Sequence, residues 1–281
     1  MAVRKLDSKV VDSRVGVTMK SDPSKIDPKK LKLGKGVARH DPRTLLLASY
    51  VTTALPTPPA SADLTAKVGA SWGMMDNDQI GDCTCAAAGH LIMEWTANAG
   101  KKMVTPTDKQ IVAAYSAITG YNPTTGANDN GAQEIDVLNY WRQTGIASHK
   151  IGAYVALEPS NHNHIMDSVY IFAGCYIGVQ LPISAQAQVQ NHQPWSVPPG
   201  GPIGDGKPGS WGGHAVPVVA YDSRGVTVVT WGALQMMTWS FWEAYCDEAY
   251  AILSNDYLNG KKQAPAGFSM QELQADLADL K

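Results

Sequence analysis

Few residues in this chain have the types and spacing for nucleophilic chemistry. Cys83 and Cys85 stand two apart in NDQIGDCTCAAAGH (77–90), and His214 stands in GSWGGHAVPVVAYD (209–222). Asp82 is a good helix cap and an alanine-rich run follows it, so Cys83 is expected as the first helical residue. There the helix N-terminus lowers a thiol's pKa and favours the thiolate. A second register has Thr84 as the cap and Cys85 as the nucleophile. A thiolate needs a base. His214 lies where a glycine-rich loop enters an apolar strand, so a thiol–imidazole pair is one chemistry these residues can carry. Two other assignments stay open at this point: both thiols as buried small residues, or a zinc site joining them to His90 or to His162 and His164. The zinc site lacks the usual cysteine spacing and a second cysteine pair. A redox dithiol would need Cys-x-x-Cys.

Positioning such a pair takes a helix start and a strand mouth. Ala87, Leu91 and Trp95 recur at helical spacing from Cys83 to about Ala99. A second helix is expected over 105–119, with Thr107 and Gln110 forming a capping box, and a third over 132–145, ended by Gly145. The period then shortens. CYIGVQLPI (175–183) reads as a strand, and HAVPVVAYD and RGVTVVTWG read as two strands joined by a turn at 222–225. Between them, 191–213 is a long Gly/Pro loop. The segment 237–254 has mixed character. Helices first and strands after is the order of an α+β fold. The tail SMQELQADLADLK opens with a capping box at Ser269 and Glu272 and carries a Leu273/Leu277/Leu280 stripe, so a short amphipathic helix is expected within 261–281.

Charge is distributed unevenly. The whole chain has a formal charge of −2, which gives no global nucleic-acid signature. Residues 1–43, however, hold 12 of the 23 Lys and Arg against five Asp. The remainder is correspondingly acidic. The basic, proline-dotted composition of this stretch fits an arm rather than a core, either solvated or lying on an acidic partner or on the acidic body of its own chain. Four cysteines are too few for a disulfide framework. No apolar run reaches membrane-spanning length, and MAVRKLDSKVVDSR has no apolar signal core. The expectation is a soluble, cytoplasmic protein with an arm (1–54), a main domain (55–260) and a helical tail (261–281), without a cofactor, a metal or a membrane partner.

Several segments, in order, resemble the papain-like cysteine peptidases. Asn77–Cys85 resembles the stretch that opens the central helix in that family, and LPTPPASADLTAKV its mature start. TPTDKQIVAAYS, NDNGAQEIDVLNYWRQTGI and CYIGVQLPISA resemble the helix, the cleft-lining segment and the strand that follow. GGHAVPVVAYD resembles the catalytic-histidine strand, and VVTWG the strand carrying the third triad residue. The likeness runs over about residues 55–235. It implies a two-lobed α+β fold, with a helical half bearing the cysteine and a β half bearing His214. It implies an oxyanion side chain six residues before the nucleophile, which is Asn77 for Cys83 and Gln79 for Cys85. Cys83 with Asn77 is the preferred pair, with Cys85 buried beside it. The family's third triad residue is an Asn; the corresponding position here is Thr230, with Asp222 as a weaker substitute. Trp72, Trp195, Trp211 and Trp231 are candidate cleft walls.

Two functions follow from this resemblance. One is a thiol hydrolase, a cysteine peptidase acting on a peptide or protein substrate through an acyl-enzyme. The other is a weakly active or inactive papain-like scaffold, built into a larger assembly such as a virus-like particle by its basic arm, with residues 1–43 meeting an acidic protein partner. The observation that separates them is what lies in the cleft. An open Cys–His site favours the enzyme, a filled cleft the scaffold, and an arm laid across an otherwise complete site an autoinhibited enzyme.

Overall fold

The computed structural model describes residues 27–39, 41, 44, 46, 57–100 and 102–257. Its organising element is α1 (Cys83–Asn98), buried at every residue except Asn98. A helix whose residues are mostly apolar or small on every side belongs in the middle of a protein, and here His90 and Glu94 are buried with the rest. The run Ala86–Gly89 lets neighbours come close: a side chain on Gly89 would strike Met75 and Ile111. Around α1 pack α2 (Asp108–Thr119) and α3 (Glu134–Gln143). The expected capping box of α2 is present. The Thr107 N–H donates to the Gln110 side chain at 2.9 Å, and the Gln110 N–H to the Thr107 hydroxyl at 3.3 Å.

The other half is an antiparallel sheet. Its strands are β1 (Ala62–Asp63), β2 (Ile151–Ala156), β3 (Cys175–Leu181), β4 (Gly212–Asp222), β5 (Gly225–Thr230), β6 (Ala233–Thr238) and β7 (Cys246–Ser254). The order across the sheet is β2-β7-β3-β4-β5-β6, with β1 also pairing with β4. The β4–β5 turn falls where expected, with Asp222 opposite Gly225. Three further helices cover the sheet or its loops: α4 (His162–Phe172), α5 (Ser184–Gln190) and α6 (Trp239–Tyr245).

The sequence pattern does not reveal β2, α4, α5 or β6. The histidines that open α4, candidate zinc ligands by residue type, are engaged in another way. Asn161 caps the helix, accepting from the His164 N–H, and the His162 ring stacks on Trp239. The mixed segment resolves into α6 followed by β7. The expected 261–281 helix and most of the 1–54 arm lie outside the described residues.

Trp95 and Tyr176 tie α1 to the sheet half. The Trp95 indole N–H donates to the carbonyls of Phe172 (3.1 Å) and Ala173 (2.7 Å), while its ring stacks on Trp141. The Tyr176 hydroxyl donates to the Thr84 carbonyl at 2.9 Å. Trp95→Ala removes a fully buried ring and both indole bonds; it is expected to cost about 3–5 kcal/mol in a urea titration. Trp95→Phe keeps most of the packing and loses the donor, for about 1–3 kcal/mol.

Candidate active site

Cys83 opens α1 and abuts β4. Its sulfur accepts the backbone N–H of Ala215 at 3.4 Å, so it sits beside the residue that follows His214. Successive helix positions turn by about 100°, so Cys85 faces a different side of α1, where it too is fully buried. The His214 Nε2 is 2.8 Å from the Thr230 hydroxyl, and its Nδ1 has no hydrogen-bond partner among the described residues. Strand pairing brings this about: β5 lies beside β4, and Thr230 ends β5 just before a tight turn. Trp231 and Gly232, with φ of 45° and 73°, form the two-residue connection to β6. Positive φ at both positions suits a hairpin, but it is strained for a tryptophan. The strain places the Trp231 ring flat on the His214 imidazole, at a centroid distance of 4.5 Å, with Trp211 stacked on it in turn.

The other expected site residues fall differently. Asp222 is taken up by Arg224 at the β4–β5 turn and does not reach His214. The buried Asn77 donates its side-chain amide to the Ile80 carbonyl at 3.3 Å. Gln79 is exposed, bonds Asp78 and lines an open groove with Lys29–Leu33 and Trp211. Trp231 and Trp211 flank the site, whereas Trp72 and Trp195 are fully buried core residues rather than cleft walls. His90 is buried against Gly73 and Trp72, and burial lowers its pKa to about 4.

The basic arm crosses this site. The Lys35 N–H donates to the Gly213 carbonyl at 3.1 Å. The Ala132 N–H donates to the Gly34 carbonyl, and the Gly36 N–H to the Ala132 carbonyl, both at 2.8 Å. Lys35 and Ala132 thus form a parallel bridge. The Trp231 indole N–H caps the Lys32 carbonyl at 3.1 Å. The fit at Gly34 is close enough that a Cβ there would collide with the Gly81 carbonyl oxygen. The arm turns the Gly34 N–H toward the Cys83 sulfur, while its carbonyl is held by Ala132.

Burial controls the electrostatics. The Asp82 side chain does not cap α1 as expected, and among the described residues neither of its oxygens is given a hydrogen-bond partner. Desolvation raises Asp82 to about 8; the Asn77 amide opposes this, and Asp76 and Asp129 add to it. Cys83 is pushed up to about 12, by burial first and against the pull of the Ala215 and Gly34 N–H groups. The expected lowering by the helix N-terminus is worth about 0.3–1 kcal/mol, under one pKa unit, and burial outweighs it. Burial also lowers His214 to about 3. With the arm in place the pair is a neutral thiol and a neutral imidazole. The Lys35 side chain reaches Asp247 (3.0 Å) and Glu248 (2.7 Å) and feels the charge of Glu134, and these four residues escape a reading of the sequence. Their only signal is a lysine between two glycines in LGKG and the acidic pair in CDE.

A helical half built on a buried central helix and packed on an antiparallel sheet half is the papain-like cysteine-protease fold, and this chain has it. Xylellain, a cysteine protease from Xylella fastidiosa, is 16% identical with a TM-score of 0.59, covering 80% of this chain and 97% of its own. Procathepsin L2 from Tenebrio molitor larval midgut is 12% identical, TM-score 0.54, covering 81% and 79%. ProCathepsin B S9 from Trypanosoma congolense is 11% identical, TM-score 0.52, covering 82% and 88%. No family model and no curated relative matches the chain by sequence.

The buried Asp82 gives a pH test. Its folded-state pKa is raised, so between its ordinary value and about 8 the folded protein holds a proton that the unfolded chain has lost, and stability falls as pH rises. Asp82→Asn removes this effect. The stability difference between the variant and wild type is expected to move in the variant's favour by on the order of 3 kcal/mol from pH 5 to pH 8. Equal pH dependence of the two melting curves would rule it out.

Proposed function

We propose that this protein is a papain-like thiol hydrolase acting on peptide bonds, held latent by its own arm. The observation that carries the reading is the His214 imidazole. Thr230 engages one nitrogen, Trp231 covers one face, and the free nitrogen is left on a ring whose neighbour Ala215 touches the Cys83 sulfur. In this reading Cys83 is the nucleophile and Thr230 orients the imidazole, while Asn77 or Gln79 supplies the oxyanion donor. Once the arm leaves, water re-enters and the burial that keeps both groups neutral is relieved. A proton passes from Cys83 to His214, and the thiolate attacks the substrate carbonyl carbon. As the tetrahedral intermediate collapses, the C–N bond breaks and His214 gives its proton to the departing amine. Water, deprotonated by His214, then attacks the thioester and frees the acid and the thiol. Two of the fold neighbours are proenzymes, which accords with a latent form.

The filled cleft also favours the scaffold reading, in which the arm never leaves. Gly34→Val separates the two, because a side chain at that position cannot sit against Gly81. In the hydrolase reading, iodoacetamide at pH 6 labels Cys83 slowly in wild type and rapidly in Gly34→Val, with Cys85 protected in both. Adding His214→Ala to Gly34→Val is expected to abolish the rapid labelling and to lower casein hydrolysis by about 10²–10⁴-fold. Slow labelling of a folded Gly34→Val protein, unchanged by His214→Ala, would leave the scaffold.

A further inference from the structure

The Lys35 side chain does more than anchor the arm. It enters a pocket between α3, β3 and β7 and is fully buried there. Its ammonium lies 3.0 Å from Asp247 and 2.7 Å from Glu248. A third carboxylate, Glu134 in the first turn of α3, acts on the same charge. Glu134 is completely buried and neither of its oxygens has a hydrogen-bond partner among the described residues. Burial alone would depress the Lys35 ammonium, but the fields of Glu134, Glu248 and Asp247 overcome it and hold it at about 12.

The walls are shaped for a long unbranched side chain. Gly178 on β3 leaves room where a Cβ would collide with the Lys35 Cε. Successive strand residues ordinarily point to opposite faces, so adjacent Asp247 and Glu248 should not reach one charge. The pairing of β3 with β7 slips between Gly178 and Val179: Gly178 faces Glu248 and Val179 faces Cys246, so Asp247 is the extra residue of a bulge. A bulge re-aims side chains, and here both carboxylates reach Lys35. Gln180 and Tyr250 hold them in place, donating to Asp247 (2.6 Å) and Glu248 (3.0 Å).

A buried pocket with three acids and, among the described residues, no cation except the arm's Lys35 is a poor resting state once the arm is away, because unpaired buried charges are costly. The pocket belongs to the main body; the cation belongs to the arm. We propose that this pocket is the specificity subsite of the cleft, and that the cleft takes peptides carrying a lysine or arginine side chain at the residue laid against Ala132. The arm's Lys35 is a stand-in for that side chain. This rests on the hydrolase reading for its catalytic meaning, but the selectivity is a property of binding and is tested as such.

The test uses the full-length Gly34→Val/Lys35→Ala protein, checked for folding by circular dichroism. Its ligand is a fluorescently labelled synthetic peptide, KLKLGKGVARH, compared by anisotropy with the same peptide carrying norleucine at the position of Lys35. The lysine peptide is expected to bind roughly 30-fold or more tightly than the norleucine one, the scale of losing one partner of a buried charge pair. Glu248→Gln with Asp247→Asn in the same background is expected to erase most of the difference. Equal binding of the two peptides overturns the proposal, whatever the hydrolytic activity. Selective binding by a protein that hydrolyses nothing upholds the pocket and sinks the hydrolase reading. Should the double variant not fold, single Lys35→Ala is melted with n-butylammonium or 1-butanol. Stabilisation by the ammonium alone supports the pocket, and none by either removes it.

Discussion

Everything in the site depends on α1 being buried along its length against the sheet half. Its small residues allow full burial, and the indole of Trp95, the phenol of Tyr176 and the N–H of Ala215 fasten it to the β half at three levels. The first residue of the helix is thereby fixed next to the mouth of β4. A helix free to slide by one residue would carry its thiol about 100° away from His214. The placement of Cys83 beside the His214 strand is thus a by-product of core packing, and the candidate site lies where the two halves of the fold meet.

The same burial that fixes the geometry silences the groups. Cys83 at about 12 and His214 at about 3 are pushed in opposite directions, each away from its charged form. One cause, exclusion of water, accounts for both. Thr230 already holds one imidazole nitrogen and Trp231 already shields the ring. The hydroxyl is a weaker orienter than the carboxamide usual at this position, and the stacked Trp231–Trp211 pair adds a second restraint on the ring plane.

What can be read from the sequence divides along physical lines. The long periodic helices, the capping box at Thr107 and the hairpin at Asp222–Gly225 are legible because local chemistry determines them. Cys83, His214 and Thr230 can be found because each sits at a marked boundary of an element. The effect of burial on the helix start is not visible: Asp82 looks like a cap and turns out to be a buried acid that does not cap. Nor is the short α4, whose opening histidines resemble ligands. Least legible is the Lys35 cluster, which joins residues more than 200 positions apart and depends on a one-residue slip between β3 and β7. No local pattern encodes that slip.

In the latent-hydrolase reading the arm belongs to the chain it blocks, and this changes what kind of blockade it is. A separate inhibitor falls off on dilution, whereas a tethered segment meets its groove at a local concentration that the bulk solution cannot alter, of millimolar order for short flexible tethers. Occupancy of the Cys83 cleft is then a unimolecular equilibrium, the same at nanomolar and millimolar protein. A competing ligand has to overcome that local concentration as well as the fit of Lys35, so exposure of the site answers to events within the molecule and hardly to its abundance.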